Sequence, residues 1–167
     1  KYTEAVEDFT KAITLKPSEF IFYKYRAECL LQLNENRKAK YDLTAVINAG
    51  EADVFVYSQR GRLFFEEGSY EDALEDYNEI IKLDPEEVSY FFSRAIVYSR
   101  LEENQKAICD YNEYLSYVTS DPAAYNNLGY CWMAEGDLTQ ADLYFKKALS
   151  VDDKYFDAYL VLSVSAL

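Results

Sequence analysis

Residues 125–148 read YNNLGYCWMAEGDLTQADLYFKKA. Large or small apolar residues stand at Tyr125, Leu128, Gly129 and Trp132, and again at Ala141, Phe145 and Ala148. Steps of three and four return a side chain to the same face of an α-helix. Gly136 falls between the two sets and can break a helix. The stretch therefore predicts two amphipathic helices joined by a tight turn.

The same pattern extends in both directions. Alanine recurs at Ala5, Ala39, Ala73, Ala107 and Ala141, on every thirty-fourth position without insertion or deletion. Four residues after each alanine stands Phe9, Leu43, Tyr77, Tyr111 or Phe145. Sixteen residues before the last four alanines come Tyr23, Tyr57, Phe91 and Tyr125, and Tyr159 opens a further round. A small residue follows each of these aromatics by four: Ala27, Gly61, Ala95, Gly129 and Ser163. A fixed period of this length marks a stacked repeat architecture, each unit burying its apolar face against the next. Pro17, Pro85 and Pro122 mark junctions between units, and Gly68 and Gly136 separate the helices within a unit. Helices are expected at 2–15, 20–33, 36–49, 54–67, 70–83, 88–101, 104–118, 122–135, 138–151 and 155–167.

The chain resembles the tetratricopeptide repeat (TPR) family. The residues that carry the likeness are Tyr125, Leu128, Gly129 and Trp132 with Ala141, Phe145 and Ala148, and next Tyr57, Arg60, Gly61 and Phe64 with Ala73, Tyr77 and Pro85. The pattern departs from the family's at Val46, Ile80 and Tyr114, where a small residue is usual, and at Glu51, Thr119 and Asp153, where proline is usual. The resemblance implies an all-α fold, an α-α superhelical solenoid of 34-residue helix-turn-helix repeats with about ten helices. Its divisions are a half repeat at 1–17, full repeats at 20–53, 54–87, 88–121 and 122–155, and a half repeat at 156–167.

Composition bounds the function. The 167 residues carry 30 acidic and 17 basic side chains and no histidine, for a net charge of −13. Nucleic acid and anionic membranes both require clustered cations, so neither is an expected partner. Without histidine the commonest general base and metal ligand is missing. Acidic pairs such as Glu66/Glu67 and Glu86/Glu87 are neighbours in sequence, point apart and stay solvated. Cys29, Cys109 and Cys131 lack an activating base, and Cys29 and Cys131 share one repeat position as small packing residues. No Gly-rich phosphate loop occurs. The reading is a non-enzyme with no metal and no cofactor.

In the family the ligand groove is lined by one face of each first helix. Carried onto this chain, that face collects Lys24, Phe55, Arg62, Phe65, Phe92, Ile96, Asn126, Tyr130 and Met133. Exposed apolar clusters of this kind mark binding surfaces. The expected function is a non-catalytic scaffold that binds a peptide or protein segment there, with polar contacts from Lys24, Arg62 and Asn126. The alternatives are a spacer acting through its ends and the non-catalytic arm of an enzyme. The carboxylate-gripping motif of one family branch is not recognisable, because Glu28 stands where asparagine would follow Lys24.

Two expectations are more specific. Arg26, Arg60 and Arg94 are each followed sixteen residues later by Asp42, Asp76 and Asp110, and in the fourth unit both members change together, to Leu128 and Tyr144. Coupled replacement predicts partly buried Arg–Asp ion pairs within each of three repeats. The second concerns the ends. Ala5, Phe9 and Ala12 on the first helix, and Tyr159, Leu162 and Ala166 on the last, would normally be covered by neighbouring helices. Their complementarity predicts weak head-to-tail self-association.

Overall fold

The computed structural model describes residues 1–155. The predicted half repeat at 156–167, and with it the Tyr159/Leu162/Ala166 face, lies outside the described residues. Among the described residues every regular element is an α-helix. The helices are α1 (Tyr2–Leu15), α2 (Phe20–Gln32), α3 (Asn36–Asn48), α4 (Val54–Glu67), α5 (Tyr70–Leu83), α6 (Ser89–Arg100), α7 (Asn104–Tyr117), α8 (Pro122–Ala134) and α9 (Leu138–Val151). Their limits coincide with the expected ones to within about one residue, the ordinary uncertainty of a helix end.

The chain forms two compact units, Lys1–Asp84 and Pro85–Leu167. In the first, α1 packs on α2, α2 on α3, α3 on α4 and α4 on α5. Its core is built on Ala27, Leu30, Ala39, Leu43, Val46, Val56 and Leu63. In the second, α6 packs on α7, α7 on α8 and α8 on α9, and α6 also touches α8. Its cores centre on Ala107, Tyr111 and Leu128, and on Ala141, Phe145 and Ala148. The periodic alanines Ala39, Ala73 and Ala107 are fully buried, because a methyl group lets paired helix backbones close up. At Gly129 even a methyl group is excess, since an added Cβ would lie 2.7 Å from the Phe145 ring.

The turn inside each repeat has a feature that the glycines alone did not predict. Asn34, Gly68, Glu102 and Gly136 are equivalent positions of successive repeats, and all adopt the left-handed conformation, with φ of 57°, 82°, 60° and 84°. The following amides reach back to close each helix: Glu35 N–H donates to the Leu30 carbonyl, Ser69 to Phe64, Glu103 to Tyr98 and Asp137 to Trp132. These are Schellman closures, which satisfy carbonyls that the helix end would leave unpaired. Side chains cap several starts. Asp53 accepts from Val56 N–H, Asp121 from Ala123 and Ala124 N–H, and Asp137 from Gln140 N–H. Pro122 occupies the first turn of α8, where no amide is needed.

Helix α1 is the least covered of the described helices. It contains no fully buried residue, and Ala5, Phe9 and Ala12 are only partly covered. The Phe9 ring lies 5.8 Å from that of Tyr25.

Candidate interaction faces

Each unit carries a depression on its first-helix face. In the first unit, residues of α2 and α4, with Tyr2 of α1, line a cavity of about 470 Å³, with Leu31 and Phe55 as apolar walls and Glu28, Gln59 and Arg62 as polar ones. Helix spacing on α4 brings Phe55, Gln59 and Arg62 onto one face. Lys24 lies beside this face but is committed. Its ammonium is 2.5 Å from Asp53 and 5.3 Å from the centre of the Phe55 ring. Burial disfavours the ionised form of Asp53, but the hydrogen bonds from Lys24 and Val56 N–H outweigh it and hold the carboxyl below its ordinary value. Arg62 is exposed and pairs along the helix with Glu66. Phe65 does not line the depression; it packs against Tyr70 across the turn, ring centres 5.5 Å apart.

In the second unit the depression holds about 350 Å³ between α6, α7 and α8. Ile96 and Tyr130 supply its apolar surface. Ser99, Asn127 and Tyr111 add polar groups, and the Ser99 hydroxyl is 3.3 Å from the Cys131 sulfur. Burial pushes the Cys131 thiol and the Tyr111 phenol above their ordinary values, so both stay protonated at neutral pH. Met133 is exposed on α8 but lies outside this depression.

Two residues expected on the face are placed differently. Asn126 is 3% exposed, and its Oδ1 has no hydrogen-bond partner. Asn126 is therefore enclosed and offers no surface contact. Asn127, the next residue, is the amide that reaches the depression. Phe92 turns inward, with its ring 5.8 Å from Tyr111 and 5.0 Å from Tyr114, and supports the core beneath the face.

On the opposite side of the repeats three guanidinium groups meet three carboxylates. Arg26 Nη2 lies 2.7 Å from Asp42 Oδ1, Arg60 Nη2 lies 2.6 Å from Asp76 Oδ1, and Arg94 Nε lies 2.7 Å from Asp110 Oδ2. All three are bidentate, with Nε on one oxygen and Nη2 on the other. The carboxylates are buried and the arginines nearly so. Hydrogen bonding to Asp42 and Asp110 raises the basicity of Arg26 and Arg94 against the opposing effect of burial. Burial raises the Asp76 carboxyl above its ordinary value, opposed by Arg60. A further member was missed in the sequence. Arg26 Nη1 donates to Thr10 on α1 and Arg60 Nη1 to Thr44 on α3, so each guanidinium also holds the preceding second helix. The signal was present: Thr10 and Thr44 are exactly one repeat apart, and each precedes its arginine by sixteen.

Among the described residues, no helix is long and apolar enough to cross a membrane, no group of three or more Cys, Asp or Glu could hold a metal ion, and the three cysteines are free.

Comparison with known proteins follows the same register. A family profile described as TPR repeat matches residues 61–102, and one described as tetratricopeptide repeat matches residues 122–155. No curated protein matches the sequence. Among solved structures, one titled "Crystal structure of YrrB: a TPR protein with an unusual peptide-binding site" superposes with a TM-score of 0.90 at 15% identity, covering 99% of this chain and 84% of that one. A MamA crystal structure gives 0.81 at 20% identity, covering 92% and 84%. The first TPR of Spaghetti (RPAP3), solved bound to the HSP90 peptide SRMEEVD, gives 0.62 at 25% identity, covering 66% and 87%. The phased residues, the helix pairs and these matches agree: the chain belongs to the tetratricopeptide repeat family and folds as an all-α solenoid of its repeats.

Proposed function

We propose that this protein is an interaction scaffold that holds a peptide or protein segment on the first-helix faces of its repeats. The observation that carries this reading is the pair of depressions, one walled by Leu31 and Phe55 and the other by Ile96 and Tyr130. Apolar side chains that line an open cavity are available to a ligand in a way that core residues are not. Two structural relatives are described with peptide sites or a bound peptide, which supports the same reading. Arg62 is the polar contact best placed at a rim, since Lys24 must first leave Asp53 and Asn126 is enclosed.

The test is selection of binders from a random peptide library on the full chain, followed by fluorescence polarisation with a selected peptide. Tyr130→Ala with Arg62→Ala leaves the fold intact, because both side chains are exposed. Binding should weaken about tenfold or more, as expected when an aromatic anchor is truncated. Selected peptides that bind both proteins equally would show that these faces are not the site.

A further inference from the structure

A second site lies on the side of the repeats away from these faces. Between α1, α2 and α3 the first unit has a cavity of about 420 Å³. Its floor is Val6 and Leu30, with the Thr10 hydroxyl at one side. Tyr41 stands at its edge, 72% exposed. Arg37 and Lys38, at the start of α3, form its lip.

The cavity itself belongs to the scaffold, since two repeats later the equivalents Arg94, Tyr98, Gln105, Lys106, Cys109 and Asp110 line one of about 320 Å³. Its lining is what sets the first apart, as the place one repeat later also illustrates. There Lys40 stands in the register of Val6, and Phe64 in that of Leu30. The Lys40 ammonium lies 4.8 Å from the centre of the Phe64 ring and pairs with Glu67, so the side chain spans the space that is open above Leu30. The lip also changes sign. Arg37, Lys38 and Tyr41 become Glu71, Asp72 and Glu75, then Gln105, Lys106 and Cys109, then Thr139, Gln140 and Leu143. Among four in-register positions, only the first combines adjacent cations with an exposed aromatic.

Charge indicates the occupant. Arg26 at the cavity wall is neutralised by Asp42, and Lys38 shares Glu35. Arg37 has no carboxylate partner among the described residues. In a chain of net charge −13, the lip thus presents Arg37 beside Lys38, while Lys40 is committed to Glu67 away from the cavity. The distant carboxylates are screened beyond about 10 Å at ordinary ionic strength, so a ligand at the lip responds mainly to these local charges. We infer that this cavity is a docking site for a short acidic segment of a partner protein, with one aliphatic side chain on the Val6–Leu30 floor and flanking carboxylates on Arg37 and Lys38.

The probe is a fluorescein-labelled, amidated peptide of Asp and Glu with one central Leu, titrated with the full chain. Saturable binding is expected, weakened about tenfold by Arg37→Glu with Lys38→Glu, less by Tyr41→Ala, and reduced by added salt. Replacing the peptide's Leu by Gly should weaken it by about tenfold or more, the worth of one buried leucine side chain. Tyr130→Ala with Arg62→Ala should change nothing, which separates this site from the one proposed above. Circular dichroism melts establish that the charge-reversed chain is folded; as Arg37 and Lys38 are exposed, it should be. The inference fails if no saturable binding occurs, if the reversed or Gly-substituted pairs bind as tightly, or if inorganic phosphate displaces the peptide as well as unlabelled peptide does. It also fails if sedimentation shows self-association that the charge reversal removes, because the occupant would then be a second copy of the chain.

Discussion

Arg26 and Asp42 meet fork to fork: Nε donates to Oδ2 at 2.8 Å and Nη2 to Oδ1 at 2.7 Å, while Nη1 reaches Thr10 on the neighbouring helix at 3.0 Å. One planar cation thereby fixes α1, α2 and α3 against each other. The same geometry recurs at Arg60 and Asp76. In the fourth repeat the corresponding residues are Leu128, fully buried, and Tyr144, which stacks on Tyr125 with Lys147 lying 4.7 Å from its ring centre. The solenoid thus has two solutions for one position, one ionic and one apolar.

Breaking the pair and replacing it should differ sharply. Asp42→Ala leaves a guanidinium without its carboxylate and should cost about 3–5 kcal/mol. The double change Arg26→Leu with Asp42→Tyr copies the fourth repeat and should cost less than about 1.5 kcal/mol, since buried ion pairs are often replaced by apolar residues with little loss. Urea unfolding of the single and double variants checks this. Equal losses in both would mean that the pair cannot be exchanged for apolar packing at this position.

Glu102 occupies a left-handed position, φ 60°, that its counterparts Gly68 and Gly136 adopt without a side chain. A Cβ in that region costs roughly 1–2 kcal/mol, and glycine gives part of this back as chain entropy. Glu102→Gly should therefore stabilise the protein by about 0.5–1 kcal/mol, and Gly68→Ala should destabilise it by a similar amount. Thermal melts of the two variants should move in opposite directions.

The two buried helical glycines should respond differently to alanine. At Gly129 the new Cβ would meet three Phe145 ring atoms at 2.7–3.0 Å. Overpacking of about 1–3 kcal/mol then exceeds the gain of about 0.5–1 kcal/mol in helix propensity. At Gly61 the nearest atom is Asp76 Cβ at 3.1 Å, a contact that a few tenths of an ångström relieves, so the two effects should nearly cancel. Denaturant midpoints should fall clearly for Gly129→Ala and shift little for Gly61→Ala.

Asp53 links helix capping to pH. Its folded carboxyl is held below the ordinary value by Lys24 and Val56 N–H, so it binds fewer protons folded than unfolded. Its stabilisation is complete above the unfolded pKa and is lost as pH falls through the folded one. Asp53→Ala should cost about 1 kcal/mol at neutral pH, the usual worth of an N-cap. Urea titrations at neutral pH and near pH 3 should show the difference between wild type and variant shrinking in acid. A constant difference would mean that the capping acceptor, not the charge, carries the effect.

The sequence alone determined the period, the helix limits and the repeat family, because one phase repeated five times leaves one way to bury the apolar stripes. It also singled out Asp42 as the partner for Arg26, since both members of that register change together at Leu128 and Tyr144. Spacing fixes the angle at which a side chain leaves a helix but not its depth. Depth depends on the neighbouring helices, so only the tertiary structure placed Asn126 inside the packing and turned Phe92 toward Tyr111. Long side chains add a second freedom: Lys24 could reach several acceptors, and its distance to Asp53 was decided by how α2 lies against the cap of α4. The left-handed turns at Asn34 and Glu102 were hidden for a related reason. Helix closure demands that backbone conformation whatever residue stands there, and the hydrogen bonds that impose it become visible only once the chain has turned.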